Sequence, residues 1–335
     1  MATRKKPSLF HSVQLRDEWD SLKHHVVWHL LKCIRRGVAL QMGRKQKFQA
    51  VVLSVRIPDD MDRNYTKLLK RIYDLKKSVQ VYPGIGMALT SFNEKTRQGT
   101  VSKFSIIEIE GDWFDESGFG PASEEDLKKI SIPTNLKPNL VSKSIYLDEK
   151  DHLVAVMTYS VGKSISPNQV EKFFRTIVSL PEILTEFGAV QVDIFKDSDE
   201  IDALLKITTL KEIKIVVSRP NHIMAGLAKE FEEALKAENA DELTRTIKSK
   251  DKDYLDPGPQ TQALGLLAAE NGSVSVRYED EGATVSSNSE SKPLIKTVIT
   301  DDPEATEAGI FEKIKEFLFG AVRENRQKAQ KIVEE

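Results

Sequence analysis

The stretch KFQAVVLSVRI, Lys47–Ile57, constrains the fold more than any other part of this chain. It is rich in β-branched and apolar residues, has charge at its start, and reads as a strand. A strand needs neighbours, and the flanking segments alternate helices with further strands. Upstream, from about Asp17 to Arg36, Leu22, Val26, Leu30, Cys33 and Ile34 recur at helical spacing, beside a stripe of His25, His29, Lys32 and Arg36. Downstream, Tyr65, Leu68, Leu69, Ile72, Leu75 and Val79 mark a second amphipathic helix that ends before Pro83-Gly84, with Arg63, Lys67, Lys70 and Lys77 on its outer side. The segment from Gly86 to Gly111 reads as a hairpin turned around Asn93 to Gly99.

A loop rich in Gly, Pro, Ser and Asn, GFGPASEEDLKKISIPTNLKPN, then suggests a domain boundary. Beyond it come the strands of SIYLDEKDHLVAVMTYSV, a helix from Pro167 to Leu180, the strand AVQVDIF, a short helix at Asp199 to Leu205 and the strand EIKIVVS. Helices are expected near Ile223–Glu238, Asp241–Lys248 and Gln260–Ala269. A hairpin is expected from SVSVRYED to PLIKTVIT, around the polar tip GATVSSNSESK. From Pro303 to about Ile332, Ile310, Ile314, Phe317, Leu318 and Val322 share one helical face, a seam that packs either on its own chain or on a second subunit. The expected architecture is α+β: two mixed helix and antiparallel-sheet lobes with a basic N-terminal helix and a long C-terminal helix. The divisions are residues 1–40, the N-terminal helix; 41–135, a basic lobe; and 141–335, an acidic lobe ending in the long helix.

Charge is where a functional expectation starts. The formal net charge of -2 hides a split, with 18 Lys/Arg against 7 Asp/Glu in residues 1–80 and 31 against 44 in the remainder. Clustered cations concentrate a polyanion and release its counterions on contact, whereas the competing reading is a solubilising surface. The residues expected to meet phosphate are Lys32, Arg35, Arg36, Arg44, Lys45, Lys47, Lys67, Lys70 and Arg71.

Other chemistries find less support. Cys33 is the only cysteine, so neither an intramolecular disulfide nor a CxxC pair is available, and a cytoplasmic setting fits. It lies on the apolar seam of its helix, a core position. SVGKS lacks the Gly that a phosphate loop needs at Met157, and PGIG lacks a third glycine. His25 and His29 stand at metal-ligand spacing among cations, without a nearby carboxylate. No GxSxG elbow is present, and no cofactor is expected. The longest apolar run, ALGLLAA at 263–269, is far short of the about 20 residues that span a bilayer.

An enzymatic alternative rests on VDIFKDSDEIDALLKITTLKEIKI. Metal-dependent nucleases of the PD-(D/E)xK type place an Asp on one strand and Glu-x-Lys on the next, which Asp193, Glu212 and Lys214 match in type and approximate spacing. The ordinary reading is that Glu212 and Lys214 form the polar face of a strand whose other face is Ile213, Ile215 and Val217. A third alternative is a scaffold whose basic lobe meets RNA or an acidic protein.

Two stretches resemble the RexA family of prophage-encoded exclusion proteins. In IEIEGDWFDESGFGPASEEDL, Glu110-Gly111-Asp112 and Phe119-Gly120-Pro121 are similar to that family's Glu-Gly-Asp strand end followed by Phe-Gly-Pro before a helix, with a shorter spacer. FGAVQVDIFKDSDEIDALLKITTLKEIKIVVSRPN is similar to its succession of Gly-turn strand, acidic turn, short helix and strand, ending at Pro220-Asn221. The order of elements corresponds over roughly residues 45–330, and the basic residues 1–40 have no counterpart. The resemblance implies a two-domain α+β protein that dimerises, binds DNA with little sequence preference and reports phage infection to a partner, usually a small membrane effector protein; the DNA expected here is double-stranded.

Overall fold

The computed structural model describes residues 45–108, 111–133, 135–218, 227–250 and 253–334. The expected strand is β1 (Gln46–Arg56), and burial on both of its faces accounts for its composition. Phe48, Ala50 and Val52 enter one core, and Val51, Leu53 and Val55 enter another. Since alternate strand residues point to opposite faces, a strand apolar at both parities has to lie between two layers.

After β1 come α1 (Tyr65–Asp74), β2 (Ser78–Tyr82), β3 (Ile85–Asn93) and β4 (Gln98–Ser105). The next segment carries a two-residue ladder, β5 (Phe114–Asp115) with β6 (Gly120–Pro121), and the one-turn helix α2 (Glu124–Leu127). β7 (Val141–Asp148), β8 (Leu153–Ser160) and β9 (Lys163–Ser164) lead to α3 (Pro167–Val178), α4 (Pro181–Phe187), β10 (Gln191–Ile194) and α5 (Ser198–Leu205). β11 (Leu210–Ser218), α6 (Leu227–Ala237), β12 (Glu242–Lys248), α7 (Pro259–Asn271), β13 (Gly272–Asp280), β14 (Ala283–Asn288) and β15 (Ile295–Thr300) precede the long α8 (Glu307–Glu334).

One antiparallel sheet follows the path β10-β1-β8-β7-β4-β3-β2, with β15 added beside β1 and β9 beside β8. β1 pairs along one edge with β8; along the other its first half takes β15 and its second half takes β10. The sheet curls into a half-barrel, and α3 packs against both β2 and β10, the two ends of that path. A second antiparallel sheet, β12-β11-β13-β14, turns Ile213, Ile215, Val217, Val274 and Val276 into the core shared with α7 and α8. Among the described residues, 46–300 with 304–334 form one compact unit.

Several expectations change. The boundary placed between residues 135 and 141 falls inside one sheet, because β4 before it pairs with β7 after it, Gln98–Lys103 against Val141–Tyr146. The two expected lobes therefore share their largest sheet, and the mixed α+β character stands. The helix expected to reach Val79 ends at Asp74; Lys76 takes a φ of 51°, and Val79 and Val81 alternate as the buried face of β2. The helix expected at Asp241–Lys248 is β12, whose β-branched Thr244, Thr246 and Ile247 suit a strand paired along β11. GATVSSNSESK is not a free tip, since Ala283–Asn288 pairs with β13, while β15 leaves the hairpin to pair with β1. The seam of α8 is occupied by its own chain: Ile310, Ile314, Leu318 and Val322 are buried beside β1, β8, β15 and α7, and Phe317 faces outward. The expected N-terminal helix lies outside the described residues.

Candidate nucleic-acid interface and a charged cavity

Of the nine cations expected to meet phosphate, Lys32, Arg35, Arg36 and Arg44 lie outside the described residues. Lys45 is exposed immediately before β1. Lys47 is exposed on β1, its ammonium 5.5 Å from the centroid of the Tyr159 ring. The other three are on α1. This helix begins where the side chain of Asn64 accepts from the Lys67 amide at 2.7 Å, and it buries Tyr65, Leu68, Leu69 and Ile72. Its cations are left outward, where acids meet them: Lys67 and Arg71 both pair with Glu186 of α4 at 3.1 Å, and Lys70 pairs with Asp74. Lys77 pairs with Glu182 in the same way. Such surface pairs add little stability, about 0 to 1 kcal/mol each, but they place a negative charge beside every cation that α1 offers.

The expected nuclease residues are not assembled. Asp193 lines one cavity, while Glu212 and Lys214 line another together with Arg277. β11 reaches the first cavity only at Val216 and Ser218, and Ser218 lies about 20 Å along the strand from Glu212 at about 3.3 Å per residue. Glu212 is held by Arg277 at 3.3 Å and Lys248 at 3.7 Å. The Phe119-Gly120-Pro121 element forms the β6 end of the small β5–β6 hairpin, with Phe119 exposed and edge-on to Phe114 at 5.5 Å.

The cavity around Asp193 has a volume of about 580 Å³, within the about 300–1,000 Å³ typical of small-ligand sites. Its principal wall is α3. Ser166 and Gln169 form a reciprocal capping box, and Pro167 occupies the first turn, so the helix starts sharply. Val170, Phe173, Phe174 and Ile177 bury one side, which leaves Asn168, Glu171, Lys172 and Arg175 at i, i+3, i+4 and i+7 on the cavity side. Arg175 ties the helix to β10, donating from Nε to the Val192 carbonyl at 2.7 Å and from Nη2 to Asp193 Oδ1 at 2.6 Å. It also pairs with Glu171 at 3.1 Å, and Glu171 accepts from the Ile194 amide at 3.1 Å. At the meeting of β13 and β11, a Cβ on Gly272 would lie 2.0 Å from the Val216 carbonyl oxygen, so only glycine allows that approach.

Lys196 follows β10 and is only 3% exposed, yet its side chain lines this cavity. Its ammonium has no hydrogen bond or ion pair among the described residues. Burial pushes its pKa below the ordinary lysine value; Asp193 and Glu171 oppose that, Arg175 adds to it, and Glu290 opposes it. The site thus combines a fixed pair of carboxylates with a sequestered amine. Asp193 was legible in the sequence, whereas Glu171, Arg175 and Lys196 were missed. One signal was available: Val190, Val192 and Ile194 are buried at every second residue, and Lys196 continues that parity into the interior.

No curated protein matches the sequence. The family model described as Domain of unknown function (DUF4747) matches residues 46–316, well over half of the chain. The match starts with β1 and ends within α8, so it takes in both sheets and the residues of the charged cavity. The chain belongs to the DUF4747 family.

Proposed function

We propose that the protein is a non-enzymatic DNA-binding protein of bacterial or prophage anti-phage defence, which holds duplex DNA by its backbone without reading bases. The observation that carries this reading is the charge split, 18 Lys/Arg against 7 Asp/Glu in the first 80 residues and the reverse imbalance beyond. The pairing around α1 narrows the set of contacts. Lys32, Arg35, Arg36, Arg44, Lys45 and Lys47 are proposed to meet phosphate, and Lys67, Lys70 and Arg71 are withdrawn because acids already accompany them.

The resemblance to the RexA family supports the wider part of the proposal: a cytoplasmic homodimer that senses infection and signals to a separate membrane effector. Among the described residues, no helix is long and apolar enough to cross a membrane. The test is a salt titration of binding to duplex DNA, single-stranded DNA and RNA of equal length. Six neutralised phosphates give a slope of log K against log salt of about -5 on duplex, with little change when the sequence is shuffled. Binding that ignores salt, or that is stronger on RNA, overturns the DNA reading.

A further inference from the structure

Buried lysines elsewhere in this fold have partners. Lys143, also 3% exposed, donates to the Ser160 carbonyl at 3.2 Å and pairs with Glu307 at 3.7 Å, and Lys315 pairs with Glu312 at 2.6 Å. Lys196 has none among the described residues and lies against a cavity that opens to solvent. Its ammonium is not among the buried atoms cut off from solvent, so it reaches the cavity, and what meets it there comes from outside the chain.

Charged groups share this cavity with Lys196: Glu171, Lys172 and Arg175 from α3, Asp193 from β10, Glu242 from the start of β12 and Glu290 from the turn after β14, while the walls from β2, β11 and β13 carry no charge. With Lys196 included, three cations meet four carboxylates, so a ligand of strong charge of either sign meets like charge. Arg175 is committed to Asp193 and Glu171 and is not free to hold an anion. A ligand without net charge, with an oxygen for the amine, avoids that repulsion. We propose that this cavity takes a small uncharged aldehyde or ketone, and that the amine of Lys196 condenses with its carbonyl carbon.

Desolvation favours the neutral amine, which is the nucleophile. The nitrogen lone pair forms a bond to the carbonyl carbon, giving a carbinolamine. The C–O bond then breaks, the hydroxyl leaves as water, and a C=N bond remains. No oxidant or reductant takes part. Nitrogen gives up two protons in all, one to the carbonyl oxygen as its π bond opens to the carbinolamine and one to the hydroxyl as it departs as water, and both pass through Asp193 or Glu171, which Arg175 holds at the wall. The inference is independent of DNA binding, since none of these residues belongs to the proposed phosphate-contacting set.

The experiment treats the full chain at pH 7 with glycolaldehyde and cyanoborohydride for a limited time, and reads the occupancy of each lysine by peptide mass spectrometry. Lys196 is expected to be labelled about tenfold faster than the exposed Lys137 and Lys150, despite its burial, because a neutral amine is the reacting species. That preference disappears in urea. Asp193→Asn is expected to slow labelling of Lys196 several-fold and leave Lys137 and Lys150 unchanged. Labelling of native Lys196 no faster than that of the exposed lysines overturns the proposal, and this comparison needs no variant to fold.

Discussion

Arg326 on α8 grips the buried carboxylate of Glu270 on α7 at two points, Nη2 to Oε1 at 2.7 Å and Nε to Oε2 at 2.9 Å. Glu270 has no exposure, and Ser54 of β1 donates to the same Oε1 at 3.2 Å. One turn earlier on α8, Arg323 donates to Asp151 at 2.6 Å and Asp148 at 3.1 Å, beside the turn between β7 and β8. The C-terminal helix is therefore fastened by charge as well as by its apolar seam. Removing one member of a buried pair strands the other, so Arg326→Met is expected to destabilise by about 3–5 kcal/mol in urea unfolding. The double change Arg326→Met with Glu270→Leu removes the stranded charge and is expected to recover most of that loss. A double variant no more stable than the single one refutes this account.

The two neighbours Phe317 and Leu318 separate the uses of α8. Leu318 is fully buried, whereas Phe317 is 48% exposed and carries the Lys296 ammonium 3.6 Å from its ring centroid. Leu318→Ala is expected to cost about 2–5 kcal/mol through the cavity it leaves, and Phe317→Ala less than about 1 kcal/mol. Phe317→Asp is expected to leave the mass measured by light scattering unchanged. A fall in mass with retained fold places a subunit contact on the outer face of α8.

The amine at Lys196 also predicts a pH dependence. Its pKa is lowered in the folded state, so between the folded and unfolded values the unfolded chain binds more protons. Stability then rises with pH through that interval, and the penalty of the buried charge is fully present below the folded value. Lys196→Met is expected to stabilise the protein at pH 7, and the advantage should shrink as pH climbs toward the ordinary lysine range. The check is a series of urea denaturations of both proteins across that range. An advantage that is flat or grows with pH contradicts a depressed pKa.

The strands and helices with a clear period were legible in the sequence: β1, the β3–β4 hairpin, α3, α5, β11 and α8 lie where their patterns place them. What failed was the pairing of distant segments. Val79 fits a helical period as well as it fits β2, and only β3 across from it decides. Residues 283–288 have a polar, loop-like composition because β14 lies at the edge of its sheet, where little has to be buried. The site shows the same limit. Asp193 is visible as an acid at the end of a strand, but its partner Arg175 lies 18 residues away on α3. Likewise, Lys67 and Arg71 read as free cations until α4 brings Glu186 beside them.

That last difference yields a direct test, because two pairs of cations similar in sequence have different surroundings. Lys45 and Lys47 are exposed with no acid paired to them among the described residues, whereas Lys67 and Arg71 share Glu186. A cation already accompanied by a carboxylate displaces fewer counterions from DNA, since its approach brings a negative charge along. Lys45→Gln with Lys47→Gln is therefore expected to flatten the salt slope on duplex DNA by about two units, at about 0.9 per phosphate, and to weaken binding to all sequences alike. Lys67→Gln with Arg71→Gln removes the same formal charge and is expected to change the slope by well under about one unit. Neutral replacements are used so that neither variant sets a new acid against Glu186. Equal flattening by both variants means that the ion pairs open on binding and that α1 belongs to the interface. No flattening by either places the contact within residues 1–44 alone, or nowhere on this basic segment if Arg35→Gln with Arg36→Gln is also silent.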